Sequence, residues 1–155
     1  MINLFVANTD SAWFDFLSSE GDLAEVNFWW PGETNFRVLQ QGELLAFRLK
    51  SPRNKIGGFG IFSNHSRLPI QIAWETFGRG NGVPSLEGLR SSIAQLRANI
   101  SVVPSTEIGS TVLVQPVSFL RTFGLMYRNR GRPVSNEASD IQQTKSKVRN
   151  CGIGY

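Results

Sequence analysis

Residues Leu44 to Leu49 alternate, with Leu45, Phe47 and Leu49 on one face and Leu44, Ala46 and Arg48 on the other. A period of two is the pattern of a strand with one buried side, and it constrains this chain more than any other feature. Ser51-Pro52-Arg53-Asn54 must then be a loop. Ile56 to Phe62 reads as a second strand, in which Gly57, Gly58 and Gly60 predict a bulge or a close backbone approach. Ile2 to Ala7, Leu23 to Trp30, Phe36 to Leu39 and Thr111 to Val117 are further short strand runs. Three helices are expected between them. Thr9 or Asp10 caps one that runs through Ser18 or Ser19, with Trp13, Phe14, Phe16 and Leu17 facing the core. Pro69 opens a second through Phe77, with Ile70, Ala73, Trp74 and Phe77 at helical spacing. Ser85 caps the third through about Ala98, where Leu86, Leu89, Ile93, Leu96 and Ile100 repeat at three and four. Strands and helices do not alternate regularly, which argues against a doubly wound sheet. The expected class is α+β: a small curled sheet or partly open β-barrel with two or three flanking helices.

A chain of 155 residues that is 41% hydrophobic can bury one core, and two domains are not expected. No apolar run approaches the ~18 residues of a membrane span, so no membrane partner is expected. Met1 to Ala7 lacks a basic n-region and does not read as a signal peptide. Cys151 and His65 are the single residues of their kinds. They exclude a disulfide framework, a cysteine zinc cluster and any site needing two histidines, and they fit a cytoplasmic location.

The net charge of +4 is uneven. Residues 1–117 hold nine Lys/Arg against ten Asp/Glu, whereas residues 118–155 hold seven against two. All four Trp precede residue 117 and both Tyr follow it. The expected division is therefore a body, 1–117, and a basic, irregular tail, 118–155. Because the body is near neutral, any anion-binding surface on it must be local.

No nucleophile triad can be assembled from one histidine and a cysteine in the tail. Gly57-Gly58-Phe59-Gly60 is not a P-loop, since no Gly-Lys-Ser/Thr follows, and no helix follows to make it a dinucleotide fingerprint. No catalytic residue, metal ligand or cofactor is expected, and the small-molecule ligand, if one exists, is unknown. Binding has better support. Arg48, Lys50, Arg53 and Lys55 cluster about the Pro52-Asn54 loop, with Arg67 further on, and Asn54, Asn64, His65 and Asn81 are expected in neighbouring loops. Trp29 and Trp30 precede a Pro-Gly turn, and of two adjacent strand residues only one can face the core. The other is expected to be exposed, or covered by a ligand or partner. Aromatic rings beside basic and amide side chains suit base stacking with phosphates held by Arg or Lys.

The body also carries a recognisable order of phrases. Glu25-Val26-Asn27-Phe28-Trp29 is followed by Phe36-Arg37-Val38-Leu39-Gln40, Phe47-Arg48-Leu49, Pro52-Arg53-Asn54 and Ile56-Gly57-Gly58-Phe59. Ser66-Arg67-Leu68-Pro69, Ala73-Trp74-Glu75-Thr76-Phe77-Gly78, Asn81-Gly82, Ile108-Gly109 and Leu113-Val114-Gln115-Pro116 complete it. Over residues 2–117 this resembles the N-terminal domain of bacterial HNH restriction endonucleases, a PUA-like module related to the SRA, EVE and ASCH domains. The resemblance implies a small barrel with flanking helices that senses DNA, including DNA with modified bases, while a C-terminal HNH domain cuts it. That domain needs histidines, and none follows residue 117. Nuclease activity is therefore not carried over.

Relatives continue after the Leu-Val-Gln-Pro strand with an aromatic run and a Pro-Glu-Asp-x-Trp-like segment. Phe119-Leu120-Arg121-Thr122-Phe123-Gly124 does not match, yet permitted codons in another frame encode Pro-Glu-Asp-Leu-Trp. A frameshift near residue 119 is one explanation of the tail, and the nucleotide sequence decides it.

The expectation from sequence is a DNA-recognition module of a modification-dependent HNH restriction system, without the catalytic domain. The alternatives are a non-functional remnant of such a gene and a protein-interaction domain. The candidate nucleic-acid-binding residues are Trp29 or Trp30 for stacking, Arg37, Arg53, Lys55 and Arg67 for phosphate, and Asn54 and Asn81 for base-edge or backbone hydrogen bonds.

Overall fold

The computed structural model describes residues 1–32, 35–98 and 101–119, together with the backbone of Asn150–Cys151. Expectations for the rest of the tail, and for Ile100, lie outside the described residues. The elements are β1 (Leu4–Thr9), α1 (Ser11–Ser19), β2 (Glu25–Trp30), β3 (Leu44–Leu49), β4 (Ile56–Pro69), α2 (Ile70–Phe77), a 3-10 turn (Gly78–Asn81), α3 (Leu86–Leu96), β5 (Glu107–Ser118) and β6 (Asn150–Cys151). They form one mixed sheet in the order β2-β5-β4-β3-β1-β6. β1 runs parallel to β3 and β6, and the other pairings are antiparallel. No pairing joins β2 to β1 among the described residues, so the sheet is open and the class is α+β. No described helix is long and apolar enough to cross a membrane.

The alternation at Leu44–Leu49 sorts as expected. Leu45, Phe47 and Leu49 are buried on the concave face, and Arg48 is exposed on the other. Register places Phe5 beside Leu45 and Gly58 beside Phe47 on that same face. An aromatic cluster fills it. Phe47 meets Trp13, Phe14 and Phe28, and Phe36 meets Phe5, Trp30 and Phe62. The glycine-rich run makes the predicted close approach. A Cβ on Gly58 would stand 2.0 Å from the Val117 carbonyl oxygen, and one on Gly57 would stand 2.7 Å from the Phe14 ring. Register shifts in β4 at Phe59/Ile61 and Phe62/Asn64 are the bulges that curl the sheet.

Two helix caps match their sequence signals. The Asp10 carboxylate accepts from Trp13 N, and Ser85 Oγ accepts from Gly88 N. Leu89 and Ile93 of α3 and Ile70 and Ala73 of α2 are buried. α2 and the 3-10 turn lie on β2, α2 also reaches β5, and α3 packs on α2.

Several expectations needed correction. Phe36 to Leu39 is not a strand. Phe36 and Leu39 are both buried, and residues three apart cannot share one face of a strand, so the segment crosses the core edge as irregular chain. β1 begins and ends two residues later than expected, because Asn8 and Thr9 pair with Arg48 and Leu49. β4 does not stop at Phe62. Asn64 and His65 lie within it, not in loops, because β5 supplies their backbone partners through Pro69. Thr111 to Val117 is likewise only the middle of β5. α3 stops at Leu96 rather than Ala98.

Glu43 ties the N-terminus to the turn before β3. Its carboxylate accepts from Gln40 N at 2.7 Å and from Asn3 Nδ2 at 2.5 Å. The bond from the Gln40 amide, with the two from Asn3, lowers its pKa against an opposing effect of burial. A depressed folded-state pKa means stability that is complete above the ordinary glutamate value and is lost as pH falls through the folded one. Acid titration of thermal stability should therefore show a decline starting near pH ~4.3. In Glu43→Gln that decline should be shallower. Parallel acid limbs in the two proteins would remove Glu43 as a contributor.

Candidate functional site

β2, β5 and β4 lie side by side, and their registers align concave-face side chains into rows. Phe28, Thr111 and His65 form one row, and Trp30, Gly109 and Arg67 form the next. The Trp30 indole Nε1–H donates to Thr111 Oγ1 at 3.0 Å, and His65 Nδ1 lies 2.8 Å from the same oxygen. Gly109 has no side chain in the gap between these groups. A Cβ there would stand 3.2 Å from both His65 Cε1 and Trp30 Cβ. The Phe36 ring closes the third side, with its centroid 5.8 Å from both Trp30 and His65. Arg37 follows Phe36 directly and is exposed, and Arg67 is exposed on β4.

The structure divides the sequence candidates among three places. Trp30, Arg67 and, next to Phe36, Arg37 belong to the end of the sheet just described. Arg53, Asn54 and Lys55 sit on the β3–β4 connection at the start of β4. From Lys55 to Arg67 the path along β4 is roughly 40 Å at ~3.3 Å per residue, so the two groups are not one patch. Trp29 and Asn81 belong to neither, because they lie under the helical layer.

The tryptophan expectation is corrected. Both rings are buried, Trp29 at 9% exposure and Trp30 at 4%. The strand does aim them to opposite faces, but the outer face is covered by the chain itself. Trp29 Nε1 donates to the Asn81 carbonyl at 2.9 Å. Neither ring face is open for base stacking in this conformation.

Asn81 is also a packing residue. It is fully buried, and its Nδ2 donates to the carbonyls of Ala73 at 3.0 Å and Gly78 at 2.8 Å. Its Oδ1 accepts from Asn27 Nδ2 at 2.9 Å, which also donates to Ser110 Oγ at 3.2 Å. Asn27 was not singled out from sequence. Its place between Val26 and Phe28 in a strand was the available signal, since an amide on a covered strand face needs partners.

The basic loop is not a set of equal cations. Arg53 forms a bidentate pair with Asp15 at 2.7 and 2.9 Å, which raises its pKa, chiefly through the hydrogen bond. Burial pushes the Lys50 ammonium below its ordinary value, with Asp10 opposing. Asn54 holds a left-handed backbone, φ 45°, and is exposed, as are Lys55 and Arg48. Arg79 is taken by Glu20, at 2.5 and 2.6 Å, and Arg90 by Glu87 at 2.9 Å. Among the described residues, Arg37, Arg48 and Lys55 make no ion pair. Because Arg53 already has a carboxylate, Arg53→Ala should change duplex affinity by less than about twofold. A larger loss by fluorescence anisotropy would put that loop in the interface.

A cavity of about 310 Å³ lies at the α1 end of the concave face, lined by Trp13, Phe14, Leu17, Val26, Phe47 and Pro116 among others. Ser18 Oγ bonds Ser118 Oγ at 3.0 Å beside it. The Phe28 ring stands between it and the Trp30–Thr111–His65 group, 5.3 Å from both Trp13 and Trp30. No cluster of three or more His, Cys, Asp or Glu able to hold a metal occurs among the described residues.

No protein-family model matches this chain, and no curated protein matches it. Among solved structures it is similar to ASCH from Zymomonas mobilis, at 12% identity and a TM-score of 0.45, over 94% of this chain and 96% of that one. Two point variants of that protein match at 10% and 9% identity, each with a TM-score of 0.44 and 86% of this chain covered. They cover 85% and 83% of those chains.

Proposed function

We propose that the body of this chain is a DNA-recognition module that binds duplex without cutting it. The observation that supports this best is the end of the concave face, where the imidazole of His65 and the guanidinium of Arg67 share one side of β4 in adjacent rows. Arg37 is exposed on the neighbouring segment. His65 and Arg67 each hold a further partner already, and Arg37 makes no ion pair among the described residues, so Arg37 is the cation at this end of the sheet that a phosphate complements. A body that is near neutral overall, with its cations placed locally, suits a specific contact better than a general polyanion sink.

The finer reading follows the order of phrases in residues 2–117. On it the module is PUA-like and serves a modification-dependent HNH restriction system, reading modified bases while a separate domain cleaves. The buried tryptophans shift the emphasis within that reading. Phosphate contacts, rather than stacking on Trp29 or Trp30, hold the DNA in the conformation described.

The test is a titration of the full chain with labelled duplex, unmodified and cytosine-modified, at low and moderate salt. Binding that weakens steeply with salt, with no cleavage when magnesium is supplied, is the expected result. Salt-insensitive behaviour, or no binding at low salt, would sink the DNA reading. Magnesium-dependent cleavage would make the chain an enzyme.

A further inference from the structure

We infer that the cavity at the α1 end of the concave face is a binding site for a free, uncharged aromatic molecule of one or two rings that carries a hydrogen-bond donor, as phenols and indoles do. The inference is separate from the DNA reading and does not depend on it. The cavity measures about 310 Å³. Well-packed interiors leave few voids larger than a water molecule, and an apolar cavity of ~150 Å³ already takes benzene. Ligand pockets begin at about 300 Å³. The space is built into the chain. Trp13, Phe14, Leu17 and Ser18 recur at three and four along α1, so one face of the helix makes one wall. The end of β5 makes another. Between the Phe59–Val117 and Ile61–Val114 pairs β5 carries one residue more than β4, with Gln115 at φ 48°. Pro116, inside that bulge, lines the cavity.

The lining selects the ligand. Phe47 stands edge-on to Trp13 at 5.4 Å and to Phe14 at 6.2 Å, an arrangement that a further aromatic ring can join. Leu17 and Leu23 are only half-buried there, so apolar area remains to be taken from water. Among the described residues no Lys, Arg or His lines the cavity, and Asp22, which does, is acidic and exposed. A nucleotide phosphate or a carboxylate would enter without a counter-charge, which disfavours both. Asp22 and Ser118 each hold a further partner. Ser18 is the polar lining group with capacity to spare. Its hydroxyl donates to Ser118 Oγ at 3.0 Å, and among the described residues its oxygen accepts no hydrogen bond. A ligand N–H or O–H complements that oxygen.

The test is a calorimetric titration of the full chain with indole, indene and benzoate. Indole should bind. Indene has the same shape without the N–H and should bind roughly fivefold more weakly, the worth of one neutral hydrogen bond. Benzoate should not bind. Ser18→Ala should bring indole down to the level of indene and leave indene unchanged. Leu17→Trp fills the space and should abolish binding of both. Its thermal melt shows whether it is folded, and if it is not, Ser18→Ala carries the test. No binding of indole at millimolar concentration overturns the site. Full binding by a folded Leu17→Trp chain puts the ligand elsewhere and overturns it too. Equal affinity of the wild type for indole and indene, or a Ser18→Ala chain that still prefers indole, overturns the donor contact. Benzoate bound as well as indole overturns the charge selection. Displacement of indole by duplex would give the cavity to a base and overturn the free-ligand reading.

Discussion

Asn81→Ala should lower the melting temperature by roughly 10–15 °C, a loss of about 3–4 kcal/mol. The substitution removes the donors to the Ala73 and Gly78 carbonyls and the acceptor for Asn27 Nδ2, all inside the protein. Buried groups left without partners cost about 1–3 kcal/mol each. The Asn27 amide would be the worst affected. Its Oδ1 has no partner among the described residues even now, and its Nδ2 would keep only the bond to Ser110. The Trp29 bond runs to the Asn81 backbone carbonyl and should survive. Against a typical total of about 5–15 kcal/mol, such a loss is large enough to read in a simple thermal melt. The control is Asn54→Gly, which removes an exposed amide at a position with φ 45° and should leave the melt nearly unchanged. A normal melt for Asn81→Ala combined with weakened duplex binding would return Asn81 to the interface.

The contrast between Asn81 and Asn54 shows what the sequence could carry. Both stand in polar stretches close to glycine or proline, and neither neighbourhood reveals whether the amide faces water or a covered strand. That difference comes from the outer layer, in which the 3-10 turn after α2 is laid over Trp29. Such a contact is between residues more than about fifty positions apart and leaves no local pattern. Local signals did well where one face meets one face. The Leu45-Phe47-Leu49 alternation, the Asp10 and Ser85 caps, and the Gly57-Gly58-Gly60 close approach each follow from the geometry of a few neighbours. Phe36–Leu39 misled because a buried irregular segment is as apolar as a strand. Asn64-His65-Ser66 misled because β4 is long enough to leave the core, so its far half is polar while its ladder continues.

The same reasoning separates the two basic groups that sequence had pooled, and it gives the second large effect. Arg37→Gln with Arg67→Gln should cut duplex affinity about tenfold or more at low salt, carried mainly by Arg37, which makes no ion pair among the described residues; a hydrogen bond to a charged group contributes about 1.5–3 kcal/mol. It should also lower the slope of log affinity against log salt by about 1, because a phosphate that is no longer neutralised keeps its counterion. The matched change at the other end, Arg53→Gln with Lys55→Gln, should matter much less. A phosphate must displace Asp15 to reach Arg53, so the gain on binding is offset by a broken bidentate pair. Glutamine keeps much of the apolar stem of each side chain, so both double variants should melt close to the wild type. The outcome is decided by comparing the two. If the drop in affinity and in salt slope follows Arg53 and Lys55, the DNA lies across the β3–β4 connection, and the row of Trp30, Gly109 and Arg67 is part of the packing. If it follows Arg37 and Arg67, the duplex lies against the far end of the curled sheet, beside the only histidine of the chain.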